Sequence, residues 1–397
     1  MSRRGEEEDF ERDKIDRTTF RRRRVQLKAR RAAVVFIVIM IILIVLLVIL
    51  RSMANRVYES YEVIGTVDWT PTAGVTIVPY GNDFISYSPD GIHCTNAAGK
   101  DIWSFSYVMQ EPRVSVKGDY VAVADLAGRN IYIYDKTGLI GEISTSSPVQ
   151  NIRLSAGGVV AAVLDDVTTS PIHLYYHDGS EISYFRTTMS RSGYPTAIGI
   201  SDSGKLVAVS YTFVDNAEMT SHVAFYNFGE VGKNETDNLV SAYDYTGEIV
   251  PMVEFMSEEY AFAVANDRLM LYEGSQRPTN TANVFLQDEV RAVYYGEEYL
   301  GLVYFDKDGE SRYRMDVYDR KGRAVSDIRF DVDYTDIRFA GDKILIYNPA
   351  ECVIYTVKGR LRYSGGFNDP VRLMLPGRIA NRYTLVTNVG LQTIELK

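Results

Sequence analysis

The sequence predicts an all-β domain, an eight-bladed β-propeller closed by an N-terminal strand and preceded by one transmembrane helix. Three observations carry this reading. Positions 32–50 are apolar throughout; the residue pattern then switches to a period of two; and a tight turn recurs every 36 to 54 residues to the end of the chain.

The chain opens with a basic arm, residues 1–31, which holds 12 Lys/Arg against 7 Asp/Glu. It starts acidic at Glu6-Glu7-Glu8-Asp9 and turns basic at Arg21–Arg24. Such a segment has too little apolar surface to fold alone and is expected to be disordered. Ala32 to Leu50 follows, 19 residues without a polar side chain. At ~1.5 Å per residue a helix of this length spans about 28 Å, close to one hydrocarbon core. Arg21–Arg24, Lys28, Arg30 and Arg31 precede it, while only Arg51 and Arg56 follow closely. The positive-inside rule then places the N-terminus in the cytoplasm and the C-terminal domain outside, on a single-pass cell-membrane anchor. A cleaved signal peptide is the rival, and Ser52-Met53-Ala54 offers a small-x-small site. Its apolar core should span only about 7–15 residues after a short basic start. The helix has no Gly and no charge, so it reads as an anchor rather than a bundle member or ion path.

Residues 51–60 are expected to be a short tether and 61–397 the propeller. The whole chain carries −9 and the arm +5, which leaves −14 on everything after the uncharged stretch. A polyanionic domain repels phosphates, so nucleic acid is excluded as a partner. The acidity is otherwise what keeps a domain soluble. Cys94 and Cys352 are the two cysteines and sit in no CxxC pattern. They read as buried thiols, with one long-range disulfide left open.

Strand-like runs recur along the domain, among them Tyr120–Ala124, Ile131–Tyr134, Leu206–Ser210, Tyr260–Val264 and Lys343–Tyr347. They are rich in Val, Ile, Ala and Tyr and bounded by Gly, Asp and Asn. Each unit reads as a strand, a tight turn, an Ala/Val-rich second strand, an aromatic third strand, a Gly turn and a fourth strand. The first turns fall near Gly81, Gly118, Gly157, Gly204, Glu258, Gly296, Gly341 and Gly377. Repeated four-stranded units of about 40–50 residues indicate a propeller of eight blades, with seven as the alternative. The small residues of the second strands suggest that these strands crowd near the axis. Third strands end in turns such as Tyr134–Gly138, Tyr176–Gly179, Tyr318–Gly322 and Tyr355–Gly359, where Gly is expected to supply φ > 0. The last unit has only three strands, and Tyr61–Val67 supplies the fourth, which removes the open edges.

Within this plan, Asn96-Ala-Ala-Gly-Lys-Asp-Ile-Trp103 resembles the Gly-Lys-x-x-Trp turn of quinoprotein-type and outer-membrane assembly propellers. The overall plan is similar to a group of uncharacterised membrane-anchored propeller proteins of Gram-positive bacteria. That resemblance covers most of the chain and brings no activity with it.

Searching for chemistry gives little. His173 and His177 lie four apart on a strand, about 13 Å at strand rise, too far for one metal ion. Asp306-Lys-Asp308-Gly309-Glu310 resembles part of a calcium loop but lacks the remaining ligands. Asn234-Glu-Thr236 fits a glycosylation sequon that matters only in a eukaryotic secretory route. GxSxG, Walker and HExxH motifs are absent from the sequence. The quinoprotein reading pairs vicinal cysteines with calcium, and Cys94 and Cys352 are not vicinal. The sequence therefore favours a non-catalytic module, without cofactor or metal, that holds an envelope protein or glycan. A cofactor-binding propeller enzyme of quinoprotein type is the alternative.

Strand order also predicts which face binds. The first-to-second and third-to-fourth turns share one face of a propeller, and the second-to-third turns share the other with the connectors between blades. The closing strand starts on the former face after a tether of about ten residues, at most ~35 Å long. That face is expected to look at the membrane. The opposite face has long loops at Asp165–Pro171, Thr212–Ser221 and Asp306–Arg312. Asp165, Asp166, Asp215, Glu218, Asp306, Asp308 and Glu310 in these loops are the candidate partner-binding residues, set against Lys307 and Arg312. Elaborated loops on a rigid scaffold are where function concentrates.

Overall fold

The structure, a computed structural model, describes residues 36–46, 56–72, 74–166, 169–188, 193–215, 218–307 and 309–397. It divides into two units, residues 1–57 and 58–397. Of the first unit, residues 36–46 are α-helical, and Phe36 to Leu46 are all exposed. The basic arm and both ends of the expected anchor lie outside the described residues. Among those described, no helix is long and apolar enough to cross a membrane.

The second unit is an eight-bladed propeller. Among the described residues, 32 strands form eight antiparallel four-stranded sheets. Blades 1 to 7 are built from consecutive strands over residues 76–106, 112–144, 149–188, 194–246, 252–285, 292–330 and 336–366. Blade 8 takes its first three strands from residues 371–396 and its fourth from Tyr61–Val67, which pairs antiparallel with Leu391–Leu396. Each of the eight expected first turns separates a first strand from a second. The ring closes as anticipated, and it closes slightly earlier in the chain. Tyr58 already bridges to Tyr363, its N–H donating to the Arg362 carbonyl at 2.8 Å, and Lys397 N–H donates to the Ser60 carbonyl.

One expectation about the interior is corrected. The first strands, not the second, lie at the axis: those of blades 1 and 2, 2 and 3, 3 and 4, 4 and 5, 6 and 7, and 8 and 1 contact one another. The second strands are small and apolar for a different reason. Each has a strand on both edges and a blade on both faces, so it is buried all round, as in Val160–Leu164. Alternate side chains then enter opposite seams. Val160, Ala162 and Leu164 pack toward blade 2, and Ala161 and Val163 toward blade 4. The core is accordingly eight apolar clusters, one per seam.

The turn chemistry is as expected. Gly138, Gly179, Gly322 and Gly359, which end the third-to-fourth turns, all have φ between 74° and 123°, a region that a side chain disfavours.

Candidate functional site

The acidic residues expected on the second-to-third loops end up in three different settings. Asp165 and Asp166 are exposed at the turn of blade 3, and Asp166 accepts from Thr169 Oγ1 at 3.2 Å. In blade 4 there is no long loop. The second and third strands, Leu206–Asp215 and Glu218–Asn227, run ten residues each and stay paired to Asp215 and Glu218 at the tip. The first strand of the blade starts only at Tyr194, opposite Thr212, so the end of the hairpin extends beyond it as an arm. Val214 and Met219 face each other on this arm and are both exposed, 67% and 43%. β-Branched and aromatic residues through Thr212-Phe213-Val214 explain why the segment continues as strand.

In blade 6 one charge of the loop, Asp306, turns inward. The Asp306 carboxylate is 3% exposed and lies 3.2 Å from Arg329 Nε. Lys307 reaches Asp288 at 3.3 Å, and Arg312 pairs with Asp333 at 3.3 Å. Glu310 remains exposed, and Asp308 is outside the described residues. Asp306 therefore ties the loop to the fourth strand of its blade (Ala324–Phe330) rather than facing outward.

Between the blade-4 arm and the blade-6 loop lies a feature that the sequence did not reveal, a cleft of about 610 Å³ over blade 5. Its walls are the connectors on either side of that blade and the blade's own second-to-third turn. Ile249, Pro251, Val264, Leu286 and Val290 make it apolar, and Asp267, Asp288, Glu289 and Arg291 line it with charge. The arm joins this wall directly: Gly247 N–H donates to the Met219 carbonyl at 2.9 Å, and the Glu218 carboxylate lies beside Gly247. Behind the wall, Arg268 pairs with both Glu248 and Asp267. Burial pushes Glu248 above the usual carboxylate range, and the hydrogen bond from Arg268 holds Asp267 below it. Apolar Ile249, Leu286 and Val290 in connecting segments were the signal available in the sequence.

A second polar centre lies at the axis. Arg153 of the first strand of blade 3 (Val149–Leu154) reaches past blade 4 to Glu254 of the first strand of blade 5 (Met252–Phe255), with Nε donating to Oε1 at 2.6 Å. Tyr295 hydrogen-bonds the same carboxylate. Burial raises the pKa of both Glu254 and Tyr295. Lys117 reaches Asp202 at 3.2 Å near the same end of the axis. Opposite charges thus meet in pairs here, which suits a structural plug.

The motif that suggested a cofactor protein is a blade lock. Asn96 Oδ1 accepts from the N–H of Ala98 and Lys100, which shapes the turn, and Trp103 stacks on Tyr134 of the next blade with centroids 4.9 Å apart. His173 stacks on Tyr184, whereas His177 stacks on Tyr120. Among the described residues no three His, Cys, Asp or Glu side chains converge as a metal site.

The fold and this surface define a β-propeller with an elaborated connector face. The chain belongs to a family of unknown function, DUF5711, which it matches over residues 54–396. No protein of curated function is matched. Among solved structures, BamB from Moraxella catarrhalis is similar at 11% identity and a TM-score of 0.51, over 85% of this chain and 100% of that one. The computationally designed protein Ika8 is similar at 11% identity and a TM-score of 0.52, over 84% of this chain and 100% of that one. At such identity the likeness is one of fold.

Proposed function

We propose that this protein is a non-catalytic binding or scaffolding module of a cell envelope. On this reading residues 32–50 anchor it in the membrane with the basic arm in the cytoplasm, and the propeller engages its partner outside. The observation that carries the binding role is the blade-4 arm: a paired hairpin whose end displays Val214 and Met219 to solvent. Large apolar side chains held out on a paired hairpin cost solubility and suit a contact surface. Support for the anchor comes from the apolar run itself and from residues 36–46, which are helical and exposed all round. A helix apolar on every side needs an apolar surrounding.

Two measurements test this. Topology reporters fused at Met1 and after Lys397 should be active inside and outside the cytoplasm, respectively; cytoplasmic activity of the C-terminal fusion ends the envelope reading. A photo-reactive residue in place of Val214 should cross-link a discrete partner in intact cells. Absence of any cross-linked product there ends the arm's role.

A further inference from the structure

We infer that the connector-side mouth of the propeller axis binds an oxyanion, a carboxylate or phosphate group taken between Arg113 and Arg372. The inference goes beyond the envelope reading and depends on neither the anchor nor the blade-4 arm.

Charge sets the axis apart from the rest of the domain. The eight first strands hold Arg113, Lys117, Arg153, Arg338 and Arg372 against Glu254 and Asp336. Everything after the apolar stretch carries −14, so this excess of cations is local. Of the residues that immediately precede these strands only Glu111 and Arg291 are charged, and they cancel. Three of the cations are matched: Lys117 by Asp202 at 3.2 Å, Arg153 by Glu254 at 2.6 Å and Arg338 by Asp336 at 2.5 Å. Arg113 and Arg372 have no carboxylate partner among the described residues. Asp369, the acidic residue nearest Arg372 in the chain, is held by Gln392 at 2.7 Å. Screening confines charge effects to about 8 Å at physiological ionic strength, so these local cations outweigh the net charge of the domain.

The two unmatched cations sit at one level of the ring. Each is the second residue of its strand, Pro112–Lys117 in blade 2 and Val371–Pro376 in blade 8, so both lie at the connector end. The first strand of blade 1, Thr76–Tyr80, stands between those two strands and contacts both. Arg113, Arg372 and Thr76 are exposed although they belong to the innermost strands, so the mouth is open to solvent at this point. Arg113 alternates with Val114 and Val116, which pack into the seam with blade 1. Lys117 shares the strand face of Arg113 and reaches Asp202 of blade 4, which turns that face toward the axis. Arg372 is the extra residue of a β-bulge, lying between the pairs Val371–Thr387 and Leu373–Val386. A bulge re-aims a side chain, and this one sends Nη2 to the Val75 carbonyl at 2.9 Å, beside Thr76. Thr76 shares its strand face with Val78 and Tyr80, which pack toward blade 2, so its hydroxyl is offered on the Arg113 side. Deeper along the axis the Arg153–Glu254 pair forms the floor. Guanidinium forks match the paired oxygens of carboxylate and phosphate, whereas an incoming cation would be repelled.

The test is isothermal titration of the full-length protein in non-ionic detergent micelles, at fixed ionic strength, with sodium phosphate and sodium succinate, and sodium chloride as the control. Phosphate, succinate or both should bind saturably at one site per chain, and binding of one alone names the oxyanion that the mouth takes. Arg113→Gln should weaken binding by about tenfold or more, the loss of one charge-assisted contact. The Arg113 side chain pairs with no carboxylate in the fold, so this variant should melt like the native protein. Arg372→Gln should weaken binding likewise. Lys321→Gln, which removes an exposed cation from a third-to-fourth turn, should leave it unchanged. Three results overturn the inference: no saturable binding of either anion, binding that Arg113→Gln leaves intact, or an equal loss in all three variants, which would mean diffuse attraction.

Discussion

Arg153 and Glu254 meet at 2.6 Å although the whole of blade 4 separates them in the chain. The pair closes the axis like a strut, and its two ends are unequal. Burial penalises the Glu254 carboxylate more than Arg153 repays, so its pKa is raised. Removing the cation alone leaves a buried charge without its counter-ion. Arg153→Met should therefore destabilise the propeller at neutral pH by about 3–5 kcal/mol, read as a lower denaturant midpoint at unchanged slope.

Glu254→Gln should behave in the opposite sense. A carboxyl with a raised folded pKa binds its proton in the native state before the unfolded chain does. Stability from this group is thus full below about pH 4.3 and is lost as pH rises through the folded value. Gln copies the neutral form at every pH. The variant should melt at or above the native protein at pH 8, and the difference should close as pH falls toward about 4. A variant less stable at pH 8, with the deficit closing as pH falls toward about 4, would show that the ion pair outweighs desolvation.

Gly199 makes that strut feasible. It lies in the first strand of blade 4 (Tyr194–Ile200), where a Cβ would stand 2.9 Å from Glu254 Cα and from the Val253 carbonyl oxygen. Both obstacles are backbone, which cannot rotate away. Gly199→Ala should cost about 1–3 kcal/mol by overpacking the seam between blades 4 and 5. Chemical unfolding of the purified protein checks this.

How much of this was legible follows from period. Blades, turns and closure could be read because an alternating pattern and a recurring Gly turn are properties of neighbouring residues. Tyr61–Val67 was recognisable as a missing fourth strand simply by counting. The axis was misassigned because small residues in Ala161-Ala162 mark burial on both faces, which second strands share with any crowded position. The blade-4 arm was read as a loop, since Asp215 and Glu218 are polar and only their pairing makes them strand. Of the cleft only its apolar connector residues are legible: Ile249, Val264 and Leu286 meet only when three turns of the ring converge.

Closure by the N-terminal strand carries a stability expectation. Deleting residues 58–68 removes the partner of Leu391–Leu396 and uncovers Tyr363 and Ile394 in the seam of blades 7 and 8. An unpaired edge beside an opened core invites association. The truncated protein should lose its single cooperative melt and form soluble oligomers on gel filtration. Melting like the full chain would show that pairing at this edge is dispensable.

The two cysteines report where the ring opens. Both are free and buried, Cys94 in the seam of blades 1 and 2 and Cys352 in that of blades 7 and 8. Burial pushes each thiol up to about 12. Only the thiolate reacts, and at pH 8 such a group is ionised in about one molecule in ten thousand. Maleimide should therefore label neither site in the native protein and both after denaturation. Cys352 shares its cluster with Tyr61 and Tyr363, whereas Cys94 packs with Trp103 and Tyr134 further round the ring. In the 58–68 deletion Cys352 should then be labelled well before Cys94, as mass spectrometry of the tryptic peptides can show. Equal rates at both sites would mean that the ring opens globally rather than at its closing seam.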